Sequence, residues 1–109
     1  MPPENERAFY RLVYPLTARP RLRVGPYPLE VIDLSEEGIR VLQNPALQLV
    51  VGEGFEGTID LPSGPSLPIE GMVLWVDPPR IGARLIQGVP FSVMLEEQRY
   101  IQRRFAARR

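Results

Sequence analysis

The chain contains no cysteine, no histidine and no lysine, so all 13 of its basic residues are arginine. Without cysteine or histidine there is no disulfide, no thiol nucleophile, no Ser-His-Asp or Cys-His relay and no Cys/His zinc cluster. Without lysine there is no Schiff-base chemistry and no P-loop lysine for a nucleotide phosphate. Asp, Glu and Tyr alone remain for acid and base work and only carboxylate metal sites survive this filter, so an ordinary enzyme is not expected; the reading is a non-enzyme with no catalytic residues, no metal and no cofactor. Long apolar runs are missing too. Nothing approaches the ~20 residues of a membrane span, and the Met1-Pro-Pro-Glu4 start has neither the basic nor the apolar region of a signal peptide. A cytoplasmic protein with no direct membrane insertion is expected.

With 109 residues, 44% of them apolar, one packed core is feasible and a single domain over 1–109 is expected. Formal net charge is zero, which argues against a nucleic-acid binder. The charge is nevertheless segregated: residues 1–24 carry +3, residues 25–77 carry −8 and residues 78–109 carry +5. Two readings follow: the basic ends pair with the acidic middle in the fold, or a terminal arginine group meets a small anion.

Residues 1–6, polar and with two prolines, read as a flexible tail. Pro15 and Pro20 rule out a long helix before residue 21 and favour a loop running into short strands. Beyond that point, alternating or β-branched runs predict strands at Arg21–Val24, Leu29–Asp33, Ile39–Leu42, Leu47–Val51, Phe55–Leu61, Ile69–Asp77 and Ile81–Leu85. Turn residues separate them, as in Gly25-Pro-Tyr-Pro28, Asn44-Pro45 and Pro62-Ser-Gly-Pro65. The pattern is mainly β, a small antiparallel barrel or sandwich. Period changes after Pro90: with Ser92 as N-cap, Val93–Arg104 predicts a helix that places Met94, Ile101 and Phe105 on one face. Glu96 and Glu97 fall in its early turns and Arg99, Arg103 and Arg104 late, as the helix dipole prefers.

Several patterns are better explained structurally. Gly52-Glu-Gly-Phe-Glu-Gly57 matches a dinucleotide-binding spacing, but the chain continues from it as a strand and its two glutamates would repel phosphate, so a turn or bulge is expected. The adjacent pairs Glu36-Glu37 and Glu96-Glu97 read as solvated faces. Trp75, within a β run, reads as a core or barrel-wall residue.

Two short motifs carry more. Arg7-x-x-x-Arg11 lies near the start, and Asp33-Leu-Ser35-Glu-Glu-Gly38 forms a turn in which Asp and Ser bond nearby backbone and Gly takes a positive-φ position. In this order, ahead of the Gly71-Met-Val-Leu-Trp-Val76 strand, Ile81-Gly-Ala-Arg-Leu85 and a final helix, they resemble the PilZ family over residues 7–105. The resemblance implies a six-stranded antiparallel β-barrel at 21–89 with a C-terminal helix at 91–106, binding cyclic di-GMP. It places Arg7 and Arg11 on a mobile loop within 7–20 that folds over the ligand, and Asp33, Ser35 and Gly38 on the barrel beneath. Arg40 and Arg84 are secondary candidates for ligand contact.

The chemistry of these residue types suits that ligand. Guanine O6 and N7 match an Arg fork, and so do phosphodiester oxygens. Asp33 can accept from guanine N1 or N2, Ser35 can serve a base or phosphate, and Gly38 lets a ring approach the backbone. The resulting expectation is a receptor whose Arg7–Arg11 loop closes on ligand and whose surface is read by a protein partner or by a second copy in a homodimer. The alternative within the same fold is an adaptor of the type IV pilus kind that binds no nucleotide.

Overall fold

The computed structural model describes residues 11–105; Arg7 of the first motif lies outside them. Among these residues seven strands and one α-helix follow in chain order: β1 (Leu12–Val13), β2 (Arg21–Val24), β3 (Tyr27–Leu34), β4 (Gly38–Leu42), β5 (Gly54–Asp60), β6 (Ser66–Asp77), β7 (Arg80–Gln87) and α1 (Phe91–Phe105). Prolines 15 and 20 leave room for only a 3-10 turn at Leu16–Ala18 between β1 and β2.

Six strands close a ring in the order β3-β2-β5-β6-β7-β4, and β3 then pairs with β4. Every pairing is antiparallel, so the architecture is mainly β, a closed six-stranded barrel with one C-terminal helix. Closure leaves those strands no long unpaired edge. β1 adds to the ring from outside, pairing Leu12 with Leu34 and Val13 with Asp33 on the edge of β3 beyond the reach of β2.

Period-two alternation fills the barrel. Leu22, Leu29, Val31, Ile59, Ile69, Val73 and Ile81 point inward and are almost wholly buried, while the intervening Arg21, Arg23, Glu30 and Glu56 face solvent. Arg11, Arg19 and Arg23 from the basic N-terminal stretch pair with Asp33, Glu30 and Asp60 of the acidic middle, so the segregated charge is used within the fold.

Two expectations about elements are corrected. Leu47–Val51 is not a strand: Asn44 accepts from Ala46 N–H and donates to Pro28 O, Glu53 Oε1 accepts from Val50 N–H, and these local bonds take groups a ladder would need. Only Leu49 of that run is buried, and Val50 and Val51 are exposed. Ser92 is not the N-cap of α1. The helical ladder begins at the Pro90 carbonyl, which accepts from Val93 N–H and Met94 N–H at 3.0 Å, so Ser92 lies inside the first turn.

Met94 and Ile101 face the core as expected, with Phe105 packed at its margin. Glu97 departs from expectation. It is fully buried, not part of a solvated face, because it shares the inward stripe with Met94 and Ile101.

Candidate functional site

Arg11, Asp33, Ser35, Gly38, Arg40 and Arg84 line one open cleft of about 350 Å³ on the outer wall of the barrel. Register explains the assembly. Asp33 pairs with Arg40, Arg40 with Gly82, and Gly82 with Trp75, giving one row across β3, β4, β7 and β6. Gly38 pairs with Arg84 in the neighbouring row of the same face.

Asp33 anchors the site. It is 2% exposed; Arg40 Nε donates to its Oδ2 at 2.6 Å, and Arg40 Nη2 stands 2.6 Å from the same oxygen as an ion pair. Arg11 Nε stands 3.8 Å from the other oxygen, Oδ1, with the Arg11 side chain 53% exposed. One guanidinium is thus locked onto the carboxylate while a second rests loosely beside it. A β-bulge between Val31 and Asp33 precedes this residue in β3, and bulges re-aim side chains in this way.

Ser35 is buried, with its N–H donating to Gly38 O at 2.9 Å. Its hydroxyl reaches that same carbonyl only at 3.4 Å, which leaves it largely available to another partner. Gly38 opens β4 and is not among the positive-φ glycines, which are 25, 52 and 64. The expected left-handed turn position is therefore corrected: the strand ladder with β3 and β7 already fixes this backbone as extended. A Cβ on Gly38 would meet Ser35 Oγ at 3.4 Å and Ala83 O at 3.8 Å, so its small size keeps the cleft floor low.

Sequence reasoning missed Glu37, Ile39 and Ala83 beside the motif residues and, across the cleft, Leu74, Trp75 and Gly82. A second bulge, between Val73 and Trp75, turns Leu74 and Trp75 outward together. The indole of Trp75 lies directly on Gly82, where any Cβ would collide with it. Arg40 and Arg84, the secondary candidates, both line the cleft. Arg40 is ion-paired to Asp33, and Arg84 has no ion pair among the described residues.

Chain neighbours of the cleft residues make two further contacts with the rest of the molecule. Tyr14, just after β1, donates its hydroxyl to Glu97 Oε2 of α1 at 2.7 Å inside the core. Burial, the bond to Glu97 and its charge together push the Tyr14 phenol far above its usual range, so it remains a donor. Glu97 Oε1 accepts from Ser63 N–H, in the β5–β6 turn, at 3.3 Å. From the motif loop, Glu36 O packs against Gly88, where no side chain would fit.

A small closed barrel carrying an arginine-lined, carboxylate-anchored cleft is the kind of domain that binds an anionic ligand with polar edges. The sequence profile of the PilZ domain family matches residues 5–107, and the chain belongs to that family. PilZ domains form a family of cyclic di-GMP receptors and protein-interaction modules, not enzymes. No curated protein sequence matches the chain. Among solved structures, that of the Bacillus subtilis inhibitor of motility (MotI/DgrA) is similar, with a TM-score of 0.64 at 18% identity, over 93% of this chain and 52% of that one. The chain thus spans about half the length of that protein, and at this identity the likeness concerns the fold.

Among the described residues no group of acidic side chains is arranged to hold a metal ion, and no helix is long and apolar enough to cross a membrane.

Proposed function

We propose that this chain is a cytoplasmic cyclic di-GMP receptor, with Arg11, Asp33, Ser35 and Gly38 contacting the ligand together with Arg7. The supporting observation is that Arg11 and Arg40 flank the buried carboxylate of Asp33 in one open cleft that Arg84 also lines. Oδ1 of Asp33, turned away from Arg40, suits the N1 and N2 donors of a guanine. Arg11 and Arg84 suit O6 and N7 acceptors or the phosphodiesters. Trp75, resting on Gly82 and half open to solvent, offers a plane for a base to stack on, a contact worth ~1–3 kcal/mol. In this reading Arg7 and Arg11 close over the ligand, and the changed surface is read by a protein partner or by a second copy of the chain.

Calorimetric titration with cyclic di-GMP tests the proposal at near-physiological salt, because low salt exaggerates arginine contacts. GMP and cyclic di-AMP serve as controls and a paired Arg7→Ala, Arg11→Ala variant removes the loop arginines. Saturable binding of cyclic di-GMP alone, lost in the variant, is expected. No heat and no thermal stabilisation at high ligand concentration overturns it and leaves the nucleotide-free adaptor.

A further inference from the structure

Glu97 occupies a position where α1 otherwise places hydrocarbon. Met94 and Ile101 flank it on the inward stripe, and it is completely buried. A carboxylate withdrawn from water is tolerated only when its oxygens are bonded. Here Tyr14 Oη–H serves one at 2.7 Å and Ser63 N–H serves the other at 3.3 Å, with no ion pair among the described residues. A leucine at this position would dock the helix unconditionally. A glutamate docks it only while the donors are seated.

The stronger donor is tied to the cleft. Tyr14 follows the two-residue strand β1, which follows Arg11 directly. Val13 pairs with Asp33, and Tyr14 N–H donates to Ile32 O at 3.1 Å. The segment that brings Arg11 to Asp33 therefore also brings Tyr14 to Glu97. A two-residue strand has few ladder bonds to hold it, so it opens at lower cost than the long strands of the ring even with Leu12 and Tyr14 packed in the core.

We propose that docking of α1 is coupled to occupancy of the cleft, with the Tyr14–Glu97 hydrogen bond as the catch. A ligand that fixes Arg11 over Asp33 also fixes β1 and seats Tyr14, which holds α1 down; when β1 loosens, Glu97 loses its main donor and α1 is released. This inference rests on the cyclic di-GMP reading of the cleft. Tyr14 and Glu97 are positioning residues, and the coupling is reciprocal: whatever frees α1 weakens the ligand by the same factor.

The experiment combines amide hydrogen exchange of the full chain, with and without saturating cyclic di-GMP, and calorimetry in the same buffer. Ligand is expected to slow exchange across Val93–Phe105 about fivefold or more, a typical coupling. Tyr14→Phe is expected to speed α1 exchange without ligand, leave β5 and β6 amides unchanged, and weaken cyclic di-GMP by a similar factor. The double variant Tyr14→Phe, Glu97→Leu replaces both partners with hydrocarbon and is expected to keep α1 protected whether or not ligand is present.

Normal heat of binding with unchanged α1 exchange overturns the coupling and leaves the receptor reading intact. No heat in the wild type overturns both. Unchanged α1 exchange in Tyr14→Phe overturns the catch itself, and should that variant not fold, ligand-dependent α1 exchange persisting in the double variant does the same.

Discussion

Arg40 and Asp33 form the fixed half of the cleft, with Nε donating to one carboxylate oxygen and Nη2 ion-paired to the same oxygen, each at 2.6 Å, whereas Arg11 stands 3.8 Å from the other oxygen. The two arginines therefore differ in kind. Arg40→Ala strands a buried carboxylate and is expected to lower stability by about 1–3 kcal/mol in urea denaturation. Arg11→Ala, at a half-exposed side chain, is expected to change stability by less than ~0.5 kcal/mol while weakening cyclic di-GMP. Equal stability losses in the two variants would contradict this division.

Trp75 is the sole tryptophan, so its fluorescence reports the cleft without interference. Gly82→Ala inserts a Cβ where the indole lies and is expected to shift the emission and weaken cyclic di-GMP about tenfold, a loss within the range for a stacked base. Wild-type emission is expected to change on titration with ligand. An unaltered spectrum in both experiments would remove Trp75 from the site.

Asp60, away from the cleft, sets a pH dependence. Arg23 donates two hydrogen bonds to it at 2.7 and 2.8 Å and Ser66 a third at 2.6 Å; these hold its carboxyl at about 2, against an ordinary 3.8. A folded-state value below the unfolded one contributes stability above 3.8 that is lost as pH falls toward 2. The carboxylate is partly exposed, so solvent screening keeps the contribution small. The stability difference between wild type and Asp60→Asn, from denaturant midpoints, is expected to be constant above the unfolded value and to shrink below it.

Gly88→Ala tests the contact beneath the motif loop. The added methyl meets the Glu36 carbonyl, so the loop or the start of α1 must shift, at a cost of about 1–3 kcal/mol. Because Ser35 and Gly38 belong to that loop, cyclic di-GMP affinity is expected to fall as well, although residue 88 is not among those lining the cleft. Thermal unfolding and calorimetry on the same sample check both effects.

Strands whose alternation is clean, such as β2 and β4, were legible in the sequence to within a residue, because one face of each is buried. Leu47–Val51 has the right composition but fails as a strand, since its fate is decided by Asn44 and Glu53 side chains bonding backbone. The two-residue β1 has no pattern long enough to read. Arg11, Asp33, Ser35 and Gly38 were legible as motifs, and their convergence with Arg40 and Arg84 follows from strand order, which no local signal carries. Trp75 was ambiguous because a bulge, and not alternation, decides which way it faces. Glu97 was open to better reading: the spacing from Met94 to Ile101 puts it on the inward stripe, and the adjacent Glu96 made the pair look like solvent-facing charge.

The row that crosses four strands also bears on when the cleft comes into being. Asp33 and Arg40 belong to the β3–β4 hairpin, Trp75 and Gly82 to the β6–β7 hairpin, and only the β4–β7 pairing joins them. Each hairpin can form from local contacts, but neither contains the cleft; it arises with the long-range pairing of β4 and β7. An intermediate in which β4 and β7 are unpaired therefore has nothing for the ligand to bind, and ligand free energy goes to states in which they are paired. Substitutions along the β4–β7 seam, at Val41 or Ile81 for example, would weaken recognition while leaving every motif residue in place.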